Sequence, residues 1–178
     1  ESDEMFQRLS ENVPGFFYQY KFNKDGASCF PFASEGIRAI YELEPEDVKH
    51  DVSAISERIH PEDVKVFTDS LKNALESKAE WNCDFRVQLP IKGTRWLRGS
   101  ATLETDKDES ILGYGYIKDI TEEKEADQKL KERNNLFTKL SEQAPGFLYL
   151  HKVDAKENVS FPFVSDGIRE VLEIEPGV

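Results

Sequence analysis

The strongest constraint on this chain is internal. Shifted against itself by 131 positions, Phe6 to Asp47 aligns with Phe137 to Val178 without a gap, giving 19 identities in 42 positions. Leu9-Ser10-Glu11 meets Leu140-Ser141-Glu142, Pro14-Gly15-Phe16 meets Pro145-Gly146-Phe147, Phe30-Pro31-Phe32 meets Phe161-Pro162-Phe163, and Gly36-Ile37-Arg38 meets Gly167-Ile168-Arg169. A period of this length belongs to a domain and is far longer than that of stacked short repeats. The second copy stops at its equivalent of Asp47, so the sequence is expected to be a piece of a longer protein. A fragment of about 40 residues is near the limit of what buries a core alone; it is expected to pack on the first copy or on another chain. The expected parts are a cap helix over 1–13, a complete domain over 14–121, a connecting helix over 122–144 and a truncated second domain over 145–178.

The first copy reads as alternating periods. Met5, Phe6, Leu9 and Val13 share one helical face, which Pro14-Gly15 terminates. Phe16 to Phe22 and Ser28 to Phe32 are aromatic runs around Asn23-Lys24-Asp25-Gly26, a hairpin signal. Short helices follow: Ser34 caps a turn through Tyr41, Pro45 opens another, and Val52 to Ile59 supplies a third. His60-Pro61-Glu62-Asp63 starts a longer helix whose buried stripe is Val64, Phe67, Leu71 and Leu75. From Trp81 the period becomes two, with Trp81, Cys83, Phe85, Val87 and Leu89 on one face. Strands over Thr94 to Glu104 and Ile111 to Ile120 complete the set, and Thr121 caps a helix with Glu122 and Glu123 in its first turn. The pattern predicts an α+β fold, a five-stranded antiparallel sheet with helices on one face. In the last helix Ala126, Leu130, Arg133, Phe137, Leu140 and Ala144 recur at heptad-like spacing. That seam suits either a parallel helix pair in a dimer or packing on the chain's own sheet.

Composition narrows the function classes. With 35 acidic against 23 basic residues and a net charge of −12, long-range attraction to nucleic acid or an anionic membrane is not expected. The two cysteines, Cys29 and Cys83, lie far apart with no metal or disulfide spacing, which suits a reducing cytoplasmic compartment. No stretch reaches the roughly 20 apolar residues of a membrane helix. Membrane segments elsewhere in a parent protein stay open. Phosphate-binding glycine loops, nucleophile motifs and kinase or cyclase signatures are lacking, so this stretch is not expected to be an enzyme.

The ordered set Pro14-Gly15-Phe16, Phe30-Pro31-Phe32-Ala33-Ser34-Glu35-Gly36-Ile37, Ile59-His60-Pro61-Glu62-Asp63, Phe85-Arg86-Val87, Arg95-Trp96-Leu97, Gly115-Tyr116-Ile117 and Asp119-Ile120-Thr121 resembles the PAS domains of bacterial sensor histidine kinases and diguanylate cyclases. The resemblance covers Phe6 to Thr121 and resumes at Phe137. It implies a sheet wrapped round a small pocket, a signal leaving through the helix after Asp-Ile-Thr, and dimerisation through flanking helices. It implies no particular ligand, since relatives bind haem, flavin, small metabolites or nothing.

Candidate sites follow from the strand faces. Leu97, Gly99, Ala101 and Leu103 share one face of their strand, and Gly113, Gly115 and Ile117 share one of theirs. Glycine and alanine there are expected to leave room beside the helices. Phe32, Ile37, Tyr41, Phe67, Leu71, Phe85, Leu97, Gly99, Ala101, Gly115 and Ile117 are thus the expected pocket lining. The pocket either takes a small molecule or is filled by phenylalanine side chains. Trp96, Tyr114 and Tyr116 fall on the outer face, where the cap or connecting helix is expected to dock through Phe6 and Leu9 or Leu130 and Phe137. Asp119 and Thr121 are expected to join the last strand to the connecting helix, with Arg86 or Arg98 as a basic partner.

No cofactor is named by these residues. Trp81, Trp96 and the tyrosines could stack on a flavin, although strand aromatics are more often packing. Haem would require His50 or His60; one falls in a charged stretch and the other at a helix start. His151 belongs to no cluster, and three dispersed histidines give no metal site. Cys83, in Asn82-Cys83-Asp84-Phe85-Arg86, superficially matches the photoactive cysteine of flavin-binding LOV domains. Those cysteines sit on a helix, whereas Cys83 lies in a period-two strand, and it reads as a core cysteine. The leading expectation is a ligand-sensing module acting through helix geometry in a homodimer; the alternative is a ligand-free domain used for dimerisation or partner binding. The parent protein is expected to carry a kinase or cyclase domain.

Overall fold

Alternating apolar and polar residues become strands wherever one face can be buried, and five such runs pair here. The computed structural model describes residues 13–24, 26–77, 79–106, 110–143 and 146–173. The expected cap helix, with Phe6 and Leu9, lies outside the described residues apart from Val13. Strands β1 (Phe16–Phe22), β2 (Ser28–Ala33), β3 (Trp81–Leu89), β4 (Gly93–Thr105) and β5 (Ile111–Asp119) form one sheet in the order β2-β1-β5-β4-β3, antiparallel throughout. Between β2 and β3 run α1 (Ile37–Tyr41), a 3-10 turn (Pro45–Val48), α2 (Ser53–Ser56) and α3 (Val64–Ser77). Helix α4 (Thr121–Gln143) follows β5. By contact the chain divides into two units, Glu1–Lys124 and Glu125–Val178.

The core of the first unit lies between one face of the sheet and the short helices. β3 alternates as the sequence requires, with Trp81, Cys83, Phe85, Val87 and Leu89 all buried. Leu97 and Ala101 of β4 and Ile117 of β5 join them, opposite Ile37, Tyr41, Val48 and Ile55. The stripe on α3 is narrower than expected: Ala74 is buried and Phe67 and Leu71 partly so, whereas Val64 and Leu75 are exposed. Only one line of α3, at spacings of three and four, meets the sheet. The outer edge of β3 is covered by Arg58–His60, where His60 N donates to Arg86 O at 2.9 Å and Gln88 N donates to Arg58 O at 2.7 Å. A covered edge cannot recruit a foreign strand.

β2 departs from simple alternation. Its pairing with β1 shifts between Gln19 and Lys21, which face Phe32 and Cys29, so β2 holds one extra residue there. The bulge reverses the inward parity: Phe30 and Ala33 are buried, and Phe32 is 38% exposed. Pro31, which has no N–H for the ladder, sits at this irregularity. Ser34 does not cap α1; its hydroxyl accepts a hydrogen bond from Phe17 N at 3.0 Å, across the hairpin. Gly15 (φ +142°) and Gly36 bring two backbone segments together, and a Cβ on Gly36 would lie 2.0 Å from Gly15 O.

The second unit repeats this local structure in detail. β6 (Tyr149–Val153) and β7 (Val159–Val164) pair with the same shift, between Leu150 and Lys152, and α5 (Ile168–Leu172) follows. Ser165 Oγ accepts from Leu148 N at 2.9 Å, and Glu173 ends α5 at φ 57°, as Glu42 ends α1 at φ 55°. The difference is burial. Tyr149 and Phe161 are exposed where Tyr18 and Phe30 are buried.

Candidate functional site

The inner face of the sheet and the helices enclose a cavity of about 270 Å³, near the lower end of small-molecule sites. β1 and β2 supply Tyr18, Tyr20, Ser28 and Phe30; the short helices supply Tyr41, Val52, Ile55 and Ser56. Ile59 and, on α3, Val64, Phe67, Thr68 and Leu71 line it as well, and Trp81, Ala101, Leu103 and Ile117 complete it from the sheet. Among the described residues no lining residue is charged. Tyr18 and Phe30 stack at 4.7 Å between ring centroids, Tyr20 meets Phe30 edge-on, and Phe67 meets Trp81 edge-on at 5.4 Å.

Of the residues expected to line the pocket, Tyr41, Phe67, Leu71, Ala101 and Ile117 do so. Ile37, Phe85 and Leu97 are packed in the core away from the cavity, and Phe32 is turned outward by the bulge. Gly99 and Gly115 leave no free room. A Cβ on Gly99 would lie 2.5 Å from the Trp81 ring, and one on Gly115 2.4 Å from the Tyr18 ring. These glycines are seats for aromatic rings. Period-two alternation from Phe16 marks Tyr18 and Tyr20 as inward, and Pro31 in a strand signals the bulge that turns Phe30 in; both signals were present in the sequence.

Polar groups in the wall are few. Ser56 and Thr68 hydroxyls donate to Val52 O and Val64 O of their own helices, at 3.3 and 2.8 Å. Tyr20 and Ser28 bring two further hydroxyls to the wall. Trp81 Nε1–H donates to Ser70 Oγ at 2.8 Å. The Tyr41 hydroxyl is fully buried and has no hydrogen-bond partner among the described residues. Burial pushes the Tyr41 and Tyr18 phenols well above the usual range, so both keep their protons.

Beyond the cavity, β5 passes into α4 through a tight junction. Asp119 Oδ1 accepts from Thr121 N at 2.8 Å and from Thr121 Oγ1 at 2.5 Å. Trp96 N donates to Thr121 Oγ1 at 3.0 Å, and Ile120 N donates to Trp96 O at 2.8 Å. Asp119, not Thr121, therefore accepts the first helical N–H, while Thr121 fastens the helix to β4. Neither expected basic partner bonds Asp119 or Thr121 directly among the described residues, although Arg98 reaches Glu123 in the first turn of α4. Arg86 holds Asp63 at 2.6 Å and Glu62 at 2.9 Å, while Arg98 holds Asp84 at 2.7 Å and Glu123 at 3.5 Å.

Residues 30–115 match the family described as PAS fold. The chain carries a PAS domain. Among solved structures, a sensory box histidine kinase/response regulator from Burkholderia thailandensis E264 is similar at 19% identity, TM-score 0.56, over 78% of this chain and 99% of that one. The PAS domain of a Colwellia psychrerythraea protein is similar at 14% identity, TM-score 0.52, over 68% and 99%. Identities this low carry the fold and nothing finer. No curated protein matches.

On the outer face of the PAS domain the three expected docking aromatics have separate roles. Trp96 has two cations over its ring, Arg86 at 5.5 Å and Lys124 at 5.0 Å. Tyr116 donates to Pro14 O and packs on Phe17 at 4.9 Å. Tyr114 is half exposed and accepts from Gln19 Nε2 at 3.5 Å. Leu130 and Phe137 are exposed on α4, and Phe137 touches Phe163 at 5.1 Å within the second unit.

Cys83 is buried on β3 away from the cavity, and desolvation raises its thiol pKa. His60 serves the turn: its Nδ1 accepts from Glu62 N at 3.3 Å, and it does not line the cavity. His50 is exposed in a separate open cleft with Asp51, Ser53 and Glu57, and His151 is exposed on β6. Among the described residues no cluster of histidine, cysteine or carboxylate is arranged for a metal, and no helix is long and apolar enough to cross a membrane.

Proposed function

We propose that this PAS domain is the sensory module of a bacterial signal-transduction protein of the histidine kinase or diguanylate cyclase type. A small molecule enters the cavity, and its presence alters how β5 hands over to α4. The observation that carries this reading is one of position: Ala101 and Ile117 line the cavity from β4 and β5, the two strands that hold α4 through Trp96 and Asp119. The module has no reaction of its own and works in the cytoplasm. Any catalysis belongs to other domains of its parent.

The test is native mass spectrometry of freshly purified chain, followed by amide exchange at Ile120 and Thr121 with and without the molecule found. The reading requires a stoichiometric small molecule that changes exchange at those two amides. A bound molecule that leaves both unchanged overturns transmission, and a protein that never binds one overturns sensing.

A second reading rests on α4, where Leu130, Leu136, Phe137 and Leu140 are exposed. Apolar residues at heptad-like spacing favour a paired helix, and on this reading the domain is a dimerisation scaffold that needs no ligand. Sedimentation equilibrium decides it: Leu130→Glu should convert a dimer to a monomer, and a wild-type monomer ends the idea.

A further inference from the structure

The cavity is not sealed, and the exposure of its own wall marks where it opens. Most described lining residues are buried or half-buried, but Ser56 of α2 and Val64 and Thr68 of α3 line it and are exposed. Val64 keeps 45% of its surface in water. A wall residue that also meets solvent stands where the two join. Val64 and Thr68, four residues apart, share one face of α3. The hydroxyls of Ser56 and Thr68 donate to Val52 O and Val64 O, each turned back on its own helix instead of across the gap.

A second observation meets the first at Ser56. Together with Ser28 and Val52, this residue also lines the open cleft that holds His50, Asp51, Ser53 and Glu57. Solvent thus reaches the cavity wall from outside at a residue that marks the opening from inside. The sheet side is closed: Trp81, Ala101 and Ile117 are all buried, and Trp81 is held by Ser70 and by the edge of Phe67.

We propose that the gap between α2 and α3, rimmed by Ser56, Val64 and Thr68, is the passage through which the ligand of this cavity enters and leaves. The inference rests on reading the cavity as the sensory pocket. Passage between the helices leaves β4 and β5 in place, so the strands that hold α4 respond to occupancy and not to traffic.

Benzene is the test probe, being uncharged, apolar and small enough for a cavity of this size. Its exchange is followed by line shapes and relaxation dispersion of NMR signals from cavity residues. Val64→Trp and Thr68→Trp set a large side chain over the rim at positions already in water. Val66→Trp, on the same helix and exposed but outside the wall, is the control. Association and dissociation should each slow by about tenfold or more in the two rim variants, with Kd within about threefold of wild type, and should be unchanged in the control. Val64→Ala, which widens the gap, should speed both. Wild-type rates in both rim variants overturn the proposal, as does equal slowing in the control. So does a Kd altered through dissociation alone, which would make the rim a contact surface and not a doorway. Benzene that never binds the wild type sinks the pocket reading itself.

Discussion

Replacing Gly99 by alanine sets two opposed effects against each other, and the structure decides the sign. In an open strand this change stabilises, because glycine in an element interior is worse than alanine by roughly 0.5–1 kcal/mol. Here the new Cβ would stand 2.5 Å from two carbons of the Trp81 ring, whereas such atoms rest at about 3.5–4.0 Å. The ring must withdraw by about 1 Å. It is tied by its N–H to Ser70 Oγ at 2.8 Å and by the edge of Phe67 at 5.4 Å. Overpacking of this kind costs about 1–3 kcal/mol, and giving up the hydrogen bond instead costs about 1 kcal/mol. The net is a loss of about 1–2 kcal/mol, at roughly 4–8 °C of melting temperature for each kcal/mol in a domain of this size. Thermal melting followed by circular dichroism and tryptophan fluorescence measures it. Gly113→Ala, whose nearest contact is the flexible Leu103 Cδ2 at 3.0 Å, should cost less. A melting temperature for Gly99→Ala equal to or above that of wild type would refute the claim that this glycine is a seat for Trp81.

Three further outcomes follow from named contacts. Phe30→Ala should destabilise by about 3–5 kcal/mol and Phe32→Ala by about 1 kcal/mol or less, as read by urea denaturation; the reverse order would place the β2 bulge wrongly. Asp119→Ala removes the acceptor for Thr121 N and should cost about 1 kcal/mol, with faster amide exchange at Thr121; unchanged exchange there would show the junction is held by other groups. For pH, the Arg98 guanidinium bonded to Asp84, helped by Lys124 against partial desolvation, holds that carboxyl at about 2; Asp63, bonded to Arg86, is lowered as well. A folded value below the unfolded one means that this stability is complete above about pH 4 and lost as pH falls toward 2. The urea midpoint should drop across that window, less steeply in Asp84→Asn, and identical pH profiles would contradict the assignment.

How far the sequence carried can be judged from particular residues. β1 and β3 have the expected ends, Phe16 to Phe22 and Trp81 to Leu89: in β3 strict alternation leaves only one register that buries the apolar face, and in β1 Pro14-Gly15 and the Asn23-to-Gly26 turn bound an aromatic run. β2 departs from its expected parity at Phe32, where one extra residue reverses it, and parity is all that alternation reads. The pocket was harder, because small residues suggest space only if nothing larger leans into it. Trp81 and Tyr18 do lean in, over Gly99 and Gly115, and a cross-strand contact of that kind has no local signature. The unsatisfied Tyr41 hydroxyl was equally invisible, since a missing partner is a property of the assembled wall.

The way the strand-to-helix junction is held bears on the proposed transmission. On the outer face Asp84, Arg98 and Lys118 lie side by side across β3, β4 and β5. They reach the first turn of α4 through Lys124 to Asp84 at 2.8 Å, Lys118 to Glu123 at 2.8 Å and Arg98 to Glu123 at 3.5 Å. These pairs are partly exposed, and such contacts are individually weak and screened by salt. The inner faces of the same strands meet the cavity through apolar packing, which does not deform smoothly. A helix start held by several weak polar contacts can take up a second arrangement at small cost, whereas the close-packed side admits few. Proposed signalling therefore needs only a modest shift of β4 and β5 on the cavity side, and the ion pairs around Glu123 and Lys124 are where that shift would be felt first.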